Sequence, residues 1–199
     1  MATATKPVVQ ELVSVPGMQR QMMEITLIGD TPLISHAWSH KAKQMMLDKQ
    51  TKKPMEKKAA KDPKDDYEES MYRLPDGRPA FPSVAFKTAA VDACSHIDGM
   101  TKVLARGAFH VLEDLLPIEG EPEAREDMVR VGMGVADIRY RAQFKQWRVT
   151  LRISYNAGVI DPPNIIHLFD TAGFAIGVGD WRPARDGSFG MFHVAKEGE

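Results

Sequence analysis

Trp181, Arg182 and Arg185 follow a turn crowded with Gly173, Gly177 and Gly179, and the stretch from Leu168 to Val194 holds the residues best suited to chemistry. Without a Cβ, glycines let backbone amides approach a phosphate or another chain closely. Two arginines and an indole beside such a loop add charge and a stacking face, the pairing that single-stranded nucleic acid needs. The plainer alternative is that the glycines make turns and Trp181 packs, because a lone glycine-rich loop is a weak signal. The segment alone leaves both standing.

A second set lies on IRYR and WRVTLRISY. Arg139, Arg141, Arg148 and Arg152 form a positive track, with Tyr140 or Trp147 at its rim, if both stretches are strands lining one sheet face. Arg148 and Arg152 are four apart, so strand alternation puts them on a common side. Lys87, near the start of a helical run, points to solvent or to a ligand. The candidate nucleic-acid contacts are therefore Lys87, Arg148, Arg152, Gly177, Gly179, Trp181, Arg182 and Arg185.

Catalytic chemistry has fewer supports. His36 and His40 stand four apart and share a face if both lie on a helix, a spacing that a metal site or an acid/base pair can use. No HExxH motif and no third ligand accompanies them, so no metal site is read, and two solvent-facing histidines is the plainer account. One of them, with Lys41 to steady charge on phosphate, would suffice for metal-independent cleavage of RNA. Cys94 sits in a helical run of small and apolar residues and reads as a buried, inert thiol. Glu119, Glu121, Glu123, Glu126 and Asp127 alternate in a way that suits a solvated loop better than a metal site.

These residues must be held by a chain of 199 residues, 43% of them hydrophobic, which is enough for one good core with a sizeable insertion. A formal net charge of -1 gives no global pull toward nucleic acid or anionic membrane, so any such binding rests on local clustering. A single cysteine excludes a disulfide framework and a cysteine-rich zinc site. No cofactor motif is present. No stretch approaches a membrane span, and the first residues lack the pattern of a signal peptide, so a cytoplasmic protein without membrane partners is expected.

Residues 1–20 carry Pro7, Pro16 and Gly17 with little periodicity and read as a flexible arm. Met22 to Ile28 reads as a first strand, after which Thr31 to Ile34 leads out of the sheet. From about 36 to 78 lysines and acids interleave, as a charged and partly helical insertion whose lysine-dense first half is the part suited to phosphate. Ser83 caps a helix with Val84, Phe86, Ala90, Val91 and Cys94 on its apolar side. Phe109 to Leu112 is a strand, an acidic loop follows, and a small glycine turn spans Met128 to Ala136. Ile138 to Arg141 and Trp147 to Tyr155 read as a strand hairpin. Pro162 and Pro163 open the last helix, and a strand from about Ser188 to Val194 closes the chain.

The order strand, helix, strand, strand, helix, strand predicts an α+β fold over 21–199: a ferredoxin-like or RRM-like antiparallel sheet with helices on one face and the charged helical insertion after the first strand. Such a sheet leaves a face free for a single strand. Three segments in this order, GDTPLI, RPAFPSVAFKTAAVDAC and GFAIGVGDWRPARDGSFGMFHV, resemble the RAMP superfamily, the RRM-like proteins that include backbone subunits of CRISPR surveillance complexes. Val84 and Ala85 replace part of that family's usual Gly-Ser turn, and Asp180 and Asp186 make the loop more acidic. The chain also resembles uncharacterised proteins of tailed phages and prophages, which places it in a bacterial cell or a phage-infected host. The resemblance implies a non-catalytic subunit that assembles side by side along single-stranded RNA or DNA. In that picture the helix start bearing Lys87 and the glycine loop grip backbone, and the insertion meets the next copy of a homo-oligomer. The alternatives are a metal-independent endoribonuclease of RAMP type using His36 or His40, and a phage structural or assembly protein.

Overall fold

The structure is a computed structural model that describes residues 17–51, 62–131 and 135–199. The arm therefore lies outside the described residues up to 16, as do Lys52, Lys53, Lys57, Lys58 and Lys61 of the insertion and the tip of the Met128 to Ala136 turn. Along the chain, β1 (Arg20–Gly29) and β2 (Leu33–Ser35) precede α1 (His40–Gln50) and α2 (Pro63–Glu69). Short strands β3 (Tyr72–Arg73) and β4 (Pro79–Pro82) lead to α3 (Ser83–Ala93) and α4 (Lys102–Ala108). Then come β5 (Phe109–Val111), β6 (Leu115–Pro117), β7 (Pro122–Val131), β8 (Val135–Phe144) and β9 (Arg148–Asn156), followed by α5 (Pro162–Ala175) and β10 (Phe192–Val194).

The fold is mixed α+β with antiparallel sheets. Four strands lie in the order β10-β1-β9-β5. Each is antiparallel to its neighbour, so β1 runs with β5 and β9 with β10, and the connections through α3 and α5 are crossovers. Alternation decides the faces. Ile25 and Leu27 of β1 and Val149, Leu151, Ile153 and Tyr155 of β9 are buried, whereas Met22, Glu24 and Arg152 between them are exposed. The buried face receives α5, whose Ile165, Leu168, Phe169, Ala172 and Gly173 recur at helical spacing and form one stripe. Asp161 caps α5 by accepting from the Asn164 amide at 3.0 Å, and Pro162 follows, so the expected start of this helix is where it lies. Gly173 is required by packing, because a Cβ there would run into the Phe192 carbonyl oxygen of β10.

Several sequence expectations are corrected. The stretches IRYR and WRVTLRISY are not a hairpin: β8 pairs with β7 and β2 in a second sheet, and β9 pairs with β1 and β5. The acidic segment expected to be a loop is β7, matched to β8 from Pro122↔Phe144 to Val131↔Val135, because each acid faces a residue that tolerates it, as Glu126 faces Tyr140 and Asp127 faces Arg139. Leu33 to Ser35 does not leave the sheets but joins the second one, with all three residues buried. Pro82, not Ser83, is the N-cap of α3. The Ser83 amide goes to the Asp114 carbonyl at 3.0 Å, and no side chain caps the helix. The last strand begins at Phe192, because Ser188 to Gly190 are held by the preceding loop. At the end of the insertion β3 pairs with β4, which pairs in turn with β6 to complete a third small sheet; farther along the chain, α4 is a helix that the sequence reading does not separate. No helix among the described residues is long and apolar enough to cross a membrane.

Candidate binding cleft

The cleft lies where β2 ends and the loop after α5 comes back beside it. The loop is laid along β2 by backbone bonds, from Asp180 N to Ile34 O at 3.1 Å and from Gly190 N to Pro32 O at 2.8 Å. Since His36 is two residues beyond Ile34, this alignment brings Asp180 to it, and His36 Nδ1 lies 3.0 Å from Asp180 Oδ2. Strand β8, paired with β2, brings Arg141 to the same carboxylate, with Nη2 at 3.3 Å. Burial alone would raise the Asp180 carboxyl. The hydrogen bond from His36 and the charges of Arg141, His36 and Arg182 outweigh it and hold the group below its ordinary value.

The loop's glycines shape it from within. Gly177 and Gly179 adopt positive φ, and their surroundings are this chain's own atoms: a Cβ would meet Pro183 at the first and the Ile34 carbonyl at the second. The Gly177 amide goes to Ala172 O at 2.8 Å and the Val178 amide to Gly190 O at 3.0 Å. The turn therefore uses these amides internally, and its role is to place Trp181 and Arg182. Trp181 has φ 57, in the left-handed region that bulky residues avoid. Its carbonyl receives the Phe189 amide at 3.0 Å and packs on Gly187, which fixes the strained conformation and leaves the indole 46% exposed. Arg182 and Arg185 flank it, Arg182 donating to Gly179 O at 3.0 Å.

Two cavities of about 400 and 390 Å³ share Arg141. The first is lined by His36, Trp38, Met45, Met46, Arg139 and Tyr140 among others, and the second by Asp180, Trp181, Arg182 and Arg185. Joined at Arg141, they form a candidate cleft whose first part is also lined by Asp66 and Glu69, with an exposed indole bordering each part, Trp38 being 60% exposed. On the adjoining β7–β8 ribbon, Arg125 bonds Asp127 at 2.8 Å and Gln143 at 2.8 Å and lies over the Phe189 ring at 4.7 Å.

The predicted contacts divide among three places. Trp181, Arg182 and Arg185 are in the cleft, with Gly177 and Gly179 beneath them. Arg148 and Arg152 share the uncovered face of the four-stranded sheet, as alternation requires, and Arg152 is paired with Glu113. The single track with Arg139 and Arg141 does not form, since those belong to the other sheet. Trp147 is at no rim: it is buried and donates to Thr31 O at 2.9 Å. Lys87 turns to the β5 edge, donating to His110 Nδ1 at 2.9 Å and Arg106 O at 3.2 Å, and burial lowers its pKa.

His36 and His40 do not share a helix face, because α1 begins at His40 and His36 precedes it; the His40 and Lys41 side chains lie outside the described residues. Cys94 is free and buried, with its thiol pushed up by burial. Trp38 and the His36–Asp180 pair were missed; the signal for Trp38 was an aromatic residue in the polar segment directly after an apolar strand. No family model matches the chain, and no curated protein matches it.

Proposed function

We propose that this protein binds single-stranded nucleic acid in the cleft between the β7–β8 ribbon, the root of the insertion and the loop after α5, as a non-catalytic, RAMP-like subunit assembling side by side along the strand. One observation carries the reading: two cavities that share Arg141 are lined by further arginines, and each is bordered by an exposed indole. This is the combination of charge and stacking face that holds a strand with little regard to sequence. The strand order β10-β1-β9-β5 with its two crossovers is that of ferredoxin-like and RRM-like units, and supports the fold half of the proposal.

The uncovered sheet face plays little part in this proposal. The rings of Phe109, Tyr155 and Phe192 are buried on the helix side, and the described residues of the other side, such as Met22, Glu24, Thr26, Thr150 and Arg152, include no Phe, Tyr or Trp. Stacking on that face is therefore unsupported, and Lys87, Arg148 and Arg152 fall outside the proposed contact. Trp181, Arg182 and Arg185 remain in it, and Trp38, Arg139 and Arg141 join them.

A second reading has its own observation. His36 with one ring nitrogen on Asp180, beside Arg141, is an arrangement that can move a proton near a phosphate, as a metal-independent endoribonuclease of RAMP type requires. Light scattering of nuclease-treated protein, alone and with a labelled strand of about 40 nucleotides, several typical site sizes long, tests the first reading. Mass that rises only with the strand and falls back in high salt is expected. Unchanged mass with free strand refutes it, and cleaved strand that survives intact with His36→Ala favours the second. Self-assembly that persists without nucleic acid and in high salt points instead to a phage assembly protein.

A further inference from the structure

His110 is the exposed residue of the edge strand β5, and it meets a lysine rather than a carboxylate. Lys87 of α3 reaches this edge and donates to His110 Nδ1 at 2.9 Å and to the Arg106 carbonyl of α4 at 3.2 Å. Nδ1 is then the acceptor, and the neutral ring carries its proton on Nε2. From β1, Arg20 leans over Ser154 of β9, donating from Nε to Ser154 Oγ at 2.9 Å, and Ser154 stands directly opposite His110. Among the described residues no carboxylate is paired with Arg20, Lys87 or His110. Glu113, past the end of β5, is taken by Arg152, which also stands opposite Glu24. Burial, then the charges of Lys87 and Arg20, hold the His110 ring below its ordinary value, and burial does the same to Lys87. A second proton on the ring would set an N–H against an ammonium across 2.9 Å, so the imidazolium needs an anion between the two nitrogens.

We infer that Lys87 and His110 form a proton-coupled site for a small tetrahedral oxyanion such as inorganic phosphate. The anion replaces their mutual hydrogen bond and accepts from Nζ–H and Nδ1–H together, while the ring takes up one proton from solvent. The two nitrogens already face each other, so oxygens of one anion bridge them once the flexible lysine stem gives way. Arg20 adds a third positive charge beside the ring. This site is separate from the cleft and does not rest on strand binding. The described residues of its sheet face include no Phe, Tyr or Trp to hold a base, which leaves a small anion as the occupant.

The test follows the His110 ring resonances of the full chain by NMR through a pH titration, in sulfate and in chloride of equal ionic strength. Sulfate stands in for phosphate because its own charge stays constant through the range. With sulfate about tenfold above half-saturation of the protonated form, the His110 midpoint is expected to rise by about one pH unit, since the anion holds only the protonated ring. His167 of α5 and His96 after α3 are expected to keep their midpoints. Lys87→Met is expected to abolish the sulfate shift and, with the neighbouring charge gone, to raise the midpoint in chloride. Equal His110 midpoints in sulfate and chloride overturn the site, as does a Lys87→Met protein that keeps the shift. A single strand of about 20 nucleotides that raises the midpoint where sulfate does not also overturns it, and makes this edge a backbone contact. The sulfate arm needs no variant, so a poorly folded Lys87→Met does not rescue the inference.

Discussion

Trp181 is held at φ 57, where a residue with a Cβ is strained and glycine is not. Trp181→Gly and Trp181→Ala both remove the indole, but only the first relieves the backbone. The glycine variant is expected to be more stable than the alanine variant by about 1 kcal/mol in denaturant unfolding. Both should lose strand affinity alike, by about 1–3 kcal/mol. Equal stabilities would mean that the loop does not impose the conformation. Asp180 supplies a second prediction. Its carboxyl takes up a proton near 3.8 in the unfolded chain but only at lower pH in the folded one, where His36, Arg141 and Arg182 surround it. Its contribution is therefore complete above that value and is lost as pH falls through the folded one. Asp180→Asn should be less stable than the parent at neutral pH and lose less on acidification, as thermal unfolding from about pH 2 to 6 will register. Residue types announced Trp181, Arg182 and Arg185 as a group. They did not announce that Asp180, which looked like a defect in a phosphate loop, is neutralised by residues from β8 and the end of β2. That pairing depends on a register between segments 144 residues apart.

At the scale of elements, periodicity located β1, α3, β5, β9 and α5, because each buries one face and leaves the other to water. It failed where a strand buries no residue. β7 has no buried residue between Pro122 and Arg130, so its acids looked like a loop, and its partner β8 was assigned to the wrong neighbour. The charged insertion is fastened to that ribbon through two hydroxyls, Tyr67 Oη donating to Pro122 O at 3.1 Å and Ser70 Oγ meeting β8. Ser70 Oγ accepts from the Ala142 amide at 2.8 Å and donates to Tyr67 O at 2.6 Å, and Ser70 O receives the Ser35 hydroxyl at 2.8 Å and the Ala37 amide at 2.8 Å. Ser70→Ala leaves the buried Ala142 amide without its acceptor, at a cost of about 1–3 kcal/mol. Hydrogen exchange at Ala142 should quicken strongly while that of Leu151 in β9 follows global stability alone. Equal acceleration at both would show that Ser70 is not a local tie.

For the molecule as a whole, a net charge of -1 offers no general attraction for a polyanion, so under the proposed function the salt dependence of strand binding must come from the cleft. Replacing Arg182 and Arg185 together by alanine is expected to lower affinity and to reduce the slope of log K against log salt by about 1.4, roughly 0.7 for each phosphate of a single strand that is no longer neutralised. An unchanged slope would remove the loop after α5 from the interface. The α+β class was legible in the order of apolar segments; the division into three sheets was not, because it turns on which strands pair across long separations. Trp147 marks the join. Its carbonyl accepts the Gly29 amide at 2.9 Å, its ring lies where a Cβ of Gly29 would be, and its indole donates to Thr31, so the exits of β1 and β8 meet on one side chain. The chain's three tryptophans are thereby sorted by environment, one sealed at the junction of the sheets and two standing open at the ends of the cleft. Intrinsic fluorescence then carries two separable signals in the unlabelled protein. A blue, quencher-resistant emission from Trp147 follows folding, and a red, quencher-accessible emission from Trp38 and Trp181 reports any occupant of the space between them.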